Sequence, residues 1–158
     1  INNMAEIKQK LASSATATIS LASLENGSGR GSTAIDNSSI LALEADIAVK
    51  IKTASSGVSA IGYLDVYLIR SEDGTNYDDS FEGFETIFYG AFTAVNAYKL
   101  GSITANANAT TYYEVFNTAI SGNLPRKFCI GIVNRTGAAL DETQSNHSVT
   151  YTLKTLQS

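Results

Sequence analysis

Strict alternation of apolar and polar residues in "LALEADIAVKIK" (41–52) is the tightest constraint on what this chain can fold into. Leu41, Leu43, Ala45, Ile47, Val49 and Ile51 fall on one side of an extended chain. Glu44, Asp46, Lys50 and Lys52 fall on the other. A period of two matches the pleat of a β-strand and not the turn of a helix. One face is apolar and the other charged, so a half-buried antiparallel strand is expected. "GYLDVYLIR" (62–70) repeats the pattern, with Leu64, Val66 and Leu68 on one side and Tyr63, Tyr67 and Ile69 on the other. Aromatics on both sides fit a strand covered on both faces.

Further strands are expected at 16–22, 98–105, 111–119, 127–134 and 148–156. Between them lie the turn clusters "ENGSGRGS", "TASSG", "SEDGTNYDD", "ANANA", "SGNLP" and "NRTG". Short alternating strands separated by such turns are the pattern of a β-sandwich or barrel. Pro125, the sole proline, falls in a loop where its missing N–H costs nothing. Two segments depart from the pattern. Met4, Ile7 and Leu11 have helix-like spacing, suiting a short helix or an extended arm. In "YDDSFEGFETIFYGAF" (77–92), Phe81, Phe84, Phe88 and Phe92 are spaced by three and four, although Gly83 and Gly90 weaken a helix there. These aromatics suit either core packing or an interaction surface.

With 158 residues the chain fits one domain and can bury roughly 68–70% of its unfolded surface. Its charged fraction of 16% is below the usual value of about 25%, leaving Ser, Thr, Asn and small residues to carry the surface. A net charge of −4 and no clustered Lys or Arg argue against nucleic-acid binding. No apolar run reaches the roughly 18 residues of a membrane helix. The first residues have no apolar core behind a basic start, so no signal peptide is expected. Met4 is expected as the natural start, with Ile1–Asn3 as added residues.

Catalytic and metal chemistry finds little footing. His147, the only histidine, stands in "NRTGAALDETQSNHSVTY" beside Ser145, Ser148, Asp141 and Glu142. Neighbours on a strand point to opposite faces, and no G-x-S-x-G elbow is present. A hydrogen-bonding residue at the start of the last strand is the expected role. Zinc needs three or four ligands, and the chain has one His and one Cys. Asp73, Asn76, Asp78 and Asp79 offer oxygens for calcium but lack the spacing of a calcium loop, and Asp73–Gly74 favours a plain hairpin turn. "NGSGRGS" lacks the Lys and Ser/Thr of a phosphate loop and reads as a connector. Cys129 lies in an apolar run and is expected as a buried, inert thiol that makes no intrachain disulfide. Asp65, Glu85, Glu114 and Asp141 are scattered carboxylates with no glycosidase-like spacing. No enzyme activity and no cofactor are expected.

Three stretches, "TISLASLENGSGRGSTAIDNSS" (18–39), "IKTASSGVSAIGYLDVYLIRSEDGTNYDD" (51–79) and "IVNRTGAALDETQSNHSVTYTL" (132–153), together resemble small virion structural proteins of tailed bacteriophages. The resemblance weakens between about Phe81 and Tyr98. It implies a protein made in the host bacterial cytoplasm and resident in the virion, with neither disulfides nor a leader. The expectation carried forward is a single all-β domain, an antiparallel sandwich of jelly-roll type with about eight strands at 15–158, behind an N-terminal arm at 1–14. As the resemblance implies, its function is capsid decoration, bridging the major capsid protein and neighbouring copies of itself as a homo-oligomer. Met4, Ile7, Leu11, Tyr77, Phe81, Phe84 and Phe88 are the candidate partner contacts. A tail, neck or fibre module binding a host glycan is the alternative, and it predicts a solvent-facing aromatic groove near 77–92.

Overall fold

Alternation takes its structural form in β5 (Glu44–Lys52), where every second side chain is buried. The fold is that of a computed structural model, which describes residues 7–88 and 95–157. β5 pairs antiparallel with β11 (Ser148–Gln157) on one side and β9 (Thr111–Asn117) on the other. The far edge of β11 takes β1 (Lys8–Leu11) and β2 (Ala15–Thr16). A second sheet is built on β10 (Lys127–Arg135), which is matched along its length with β6 (Tyr63–Ser71). β8 (Tyr98–Thr104) flanks β6, while β3 (Gly29–Gly31) and β4 (Ile35–Asp36) flank β10. β7 (Thr86–Phe88) pairs with β3.

β1 and β2 share β11, and β3 and β4 share β10, so each pair is one strand interrupted by a bend. Counted so, the described residues hold eight principal strands plus β7. The sheet orders are then first–eighth–third–sixth and second–seventh–fourth–fifth. That is the order of a jelly roll, two interlocked Greek keys. The expected all-β sandwich of about eight strands is the observed one. Within the stretch expected as an arm, residues 8–11 belong to the first sheet as an edge strand.

Between the sheets, Ile47, Val49 and Ile51 pack with Leu64, Val66 and Leu68 of β6 and Phe128, Ile130 and Ile132 of β10. The outer side of the second sheet carries a smaller core of Ile69, Tyr77, Phe81 and Cys129. Tyr77 and Phe81 meet edge-on with ring centroids 6.2 Å apart. No α-helix forms at the start of the aromatic segment, only a short 3-10 turn at Asp78–Ser80, because Asp79 and Ser80 take left-handed φ values of 56° and 59°.

Three local expectations are corrected. Leu41 and Leu43 lie before β5 and are exposed, because the Leu41 N–H bonds to the Asn37 carbonyl in a turn. In 16–22 the burial alternates as expected, with Ala17, Ile19 and Leu21 in the core. Past Thr16, however, no strand continues, and the N–H groups of Ser20, Leu21 and Ala22 donate to the side chains of Glu85 and Gln144. The glycine-rich "connector" contains β3. A Cβ on Gly31 would lie 2.3 Å from the Phe81 ring, so the glycine lets that ring lie flat on the sheet.

Candidate functional site

His147 directly precedes β11 and is 4% exposed. Its Nδ1 accepts from the Lys52 backbone N–H at 3.3 Å, and its Nε2 lies 2.9 Å from the Asp141 carbonyl oxygen. Nδ1 is an acceptor, so Nε2 carries the proton and donates it to that carbonyl. The Asp141 carboxylate accepts from Asn146 Nδ2 at 2.7 Å and from Thr143 N–H at 3.0 Å, and pairs with Lys52 Nζ at 3.1 Å. The Asn146 bond, the Thr143 N–H and Lys52 hold this carboxyl well below the usual carboxylate range. Both imidazole nitrogens are engaged by backbone, and neither is offered to Ser145 or Ser148. The cluster builds a turn.

Burial pushes the His147 pKa below its ordinary value of 6.5, against the pull of Asp141. The folded state therefore binds the imidazole proton less readily than the unfolded chain. Stability from this group is complete above about pH 6.5 and falls as pH drops toward the lowered folded value. Urea unfolding at pH 7 and pH 5 is expected to show that loss in the wild type and not in His147→Gln. An equal pH dependence in the two proteins would remove His147 as its source.

The remaining acids are also engaged separately. Asp73 accepts from the N–H groups of Thr75 and Asn76 at 2.8 and 2.7 Å and closes a turn, but the plain hairpin expected at Asp73–Gly74 does not form: β6 pairs with β10 and with β8, which begins only at Tyr98. Asp79 binds the N–H groups of Val95, Asn96 and Ala97, tying the far end of the aromatic segment to its beginning. Asp65, on the outer side of β6, lies 2.6 Å from Lys99 Nζ, 3.3 Å from Arg135 Nε and 2.7 Å from Ser102 Oγ. Burial alone would raise its pKa, but Lys99, Ser102 and Arg135 outweigh it and leave the carboxyl below its usual value. Glu85 binds Arg30 at 2.7 Å, and Glu114 is exposed on β9. Among the described residues, Asp65, Glu85 and Asp141 are paired with different cations, Lys99 and Arg135, Arg30, and Lys52. Among the described residues, no group of three or more His, Cys, Asp or Glu is placed to hold a metal ion. Asn37 and Asn134, each within an N-x-S/T sequon, are buried and bonded to backbone.

The candidate contact residues separate into two sets. Ile7 and Leu11 are exposed, Leu11 on edge strand β1, and Phe84 is 54% exposed. Tyr77 and Phe81 are buried in the outer core, so for them the core alternative holds. Phe88 ends β7, and Met4 lies outside the described residues, as do 89–92.

Tertiary structure adds an apolar end that sequence reasoning missed. The Leu43 N–H bonds to the Lys154 carbonyl, and the Leu124 N–H bonds to the Leu43 carbonyl. These bonds bring the turns at 37–43 and 119–124 beside the end of β11. Ile40, Leu41, Leu43, Ile120 and Leu156 are all exposed there. Leu43, Leu156, Ala119 and Gly122 line a groove of about 260 Å³ with Gln9 and Lys154. The available sequence signal was the pair of leucines just N-terminal to β5, which the alternating pattern had assigned to the core face.

No protein-family model matches this chain, and no curated protein matches it.

Proposed function

We propose that this chain is a structural virion protein of a tailed phage, a capsid decoration protein that bridges and stabilises capsid subunits. The observation that carries the reading is the gathering of large exposed apolar side chains along edge strand β1 and the adjoining apolar end. Exposed apolar groups concentrated in one region mark contact surfaces. Each Leu or Ile covered by a neighbour contributes about 1.5–3 kcal/mol of burial. Binding that selects the folded form raises the apparent stability of the whole assembly. The partners are the major capsid protein and neighbouring copies of this chain, and the mature location is the virion.

The same geometry weighs against the rivals. A glycan-binding tail module calls for an exposed aromatic groove near 77–92; the groove of about 390 Å³ that Tyr77, Phe81 and Phe84 line there exposes only Phe84, while Tyr77 and Phe81 are buried. A hydrolase calls for an available base or a carboxylate pair, yet His147 is engaged by backbone, and Asp65, Glu85 and Asp141 are each paired with a different cation.

Copy number in purified particles, measured by quantitative mass spectrometry against the major capsid protein, tests the reading. Near-stoichiometric copies are the expected result. A few to a few tens of copies would instead assign the protein to the neck, tail or fibres. Glycan binding around Phe84 would then be the property to measure.

A further inference from the structure

Beyond Lys50, which lies opposite Ser148 at the start of β11, the end of β5 is held on that side by a loop instead of a strand. The Lys52 N–H bonds to His147 Nδ1 at 3.3 Å, and the Lys52 carbonyl accepts from the Asp141 N–H at 3.1 Å. The same loop carries the backbone of 21–23, which lies in no strand. Gln144 Oε1 accepts from the N–H groups of Leu21 at 2.8 Å and Ala22 at 3.0 Å. The Asp141 carbonyl accepts from the Ser23 N–H at 3.2 Å as well as from His147 Nε2 at 2.9 Å. Ser23 has a left-handed φ of 54°, a strain that its surroundings must hold.

One protonation state of His147 fits this arrangement. Nδ1 faces a backbone donor and Nε2 a backbone acceptor, so the ring is neutral with its proton on Nε2. A second proton would set an Nδ1–H against the Lys52 N–H, two donors with no acceptor between them. The charged groups facing the ring are Asp141 in its own loop and Lys50 and Lys52 on β5. Lys52 Nζ already pairs with the Asp141 carboxylate at 3.1 Å, and Lys50 Nζ lies 3.5 Å from the Ser145 carbonyl. An imidazolium there meets two ammonium groups and a carboxylate that is already paired. Residues 19–24 bring no charge to offset this. We propose that residues 141–147 form a proton-operated latch, in which a second proton on His147 frees the loop from the end of β5 and opens 21–23 with it, while the two sheets stay paired. The opening is local because these amides are bonded to side chains and turns, whereas β6 and β10 are matched along their length. Burial works in the same direction, holding the folded ring below its ordinary pKa of 6.5. Opening therefore takes up a proton and grows more favourable as pH falls below about 6.5 toward the lowered folded value. The latch is a device of the fold itself and stands apart from the virion reading.

Native-state hydrogen exchange of the full chain tests the latch, with amides resolved by NMR at pH 7 and pH 5 and corrected for their intrinsic rates. In the wild type, protection of the Leu21, Ala22, Ser23, Lys52 and Asp141 amides should fall roughly fivefold or more on acidification. It should stay below that of β6 and β10 and be unmoved by low urea, because a local opening exposes little surface. His147→Gln keeps an acceptor and a donor at this position without a titrating group, and it should abolish the pH dependence. Protection unchanged by pH would overturn the proposal, as would an equal fall in His147→Gln. Exchange of these amides in step with β6 and β10, with the same urea dependence, would overturn it too, since the loop would then open only on global unfolding. Nitrogen shifts of the single imidazole read the tautomer in the wild type, whatever the stability of the variant. A proton on Nδ1 at pH 7 would remove the basis of the latch.

Discussion

Asn134→Ala is expected to lower unfolding free energy by about 3 kcal/mol, because it removes a buried amide whose four bonding positions are all used. Asn134 lies in β10 and is 0% exposed. Its Nδ2 donates to the carbonyls of Leu24 at 2.7 Å and Ala138 at 2.8 Å. Its Oδ1 accepts from Thr136 N–H at 2.9 Å and Thr136 Oγ at 2.8 Å. The Leu24 carbonyl keeps a second donor in the Leu140 N–H, and the single Thr136 hydroxyl proton is free to turn to the Ala138 carbonyl, 2.9 Å away. The Thr136 N–H is left in a buried site without its acceptor, and a cavity replaces the amide. Asn26→Ala is the matching control, since exposed Asn26 makes a single bond, from the Gly137 N–H at 2.9 Å. It should cost less than about 1 kcal/mol. Urea midpoints at pH 7 measure both. Equal losses would mean that the amide network is not what joins the turn after β10 to residues 24–28.

Gly31→Ala is expected to cost about 2–3 kcal/mol and to open the outer core. The added methyl would lie 2.3 and 2.5 Å from two Phe81 ring carbons, closer than any stable contact, so the ring must leave. Cys129 supplies an independent readout. Burial pushes its thiol up to about 12, and in the wild type it should resist a disulfide reagent at pH 8. With Phe81 displaced, labelling is expected to accelerate by a factor on the order of ten or more. Gly31→Ala combined with Phe81→Ala should cost less than the two changes summed, because both act on one contact. Additive losses with unchanged labelling would sever the link between Gly31, Phe81 and the thiol. That link directs the first aromatic residues of 77–92, Tyr77 and Phe81, into the outer core.

The strands of the two sheets were legible because alternation is a property of a few consecutive residues. β5 and β6 show it in "EADIAVKIK" and "YLDVYLIRS", while β10 reads instead as the continuous apolar run of "KFCIGIVNR", buried on both faces. The inert thiol of Cys129 was readable for the same reason, from apolar neighbours on both sides. His147 was readable as a turn residue, though not its two backbone partners. Lys52, one of them, is 95 positions away in the chain.

Composition and alternation alone determined that this chain is all-β, a sandwich or a barrel, because residues two apart must share a face whatever the rest of the chain does. Only tertiary structure decided which extended stretches find a strand to pair with and which apolar residues stay outside. Residues 17–22 alternate like a strand, yet part of their backbone is bonded by Glu85 and Gln144, which local pattern cannot announce. Leu41 continues the alternation of β5 by sequence, yet Asn37 reaches Pro125, 88 positions away, and bends the chain outward before the strand begins. Hydrogen bonds between distant residues set those outcomes.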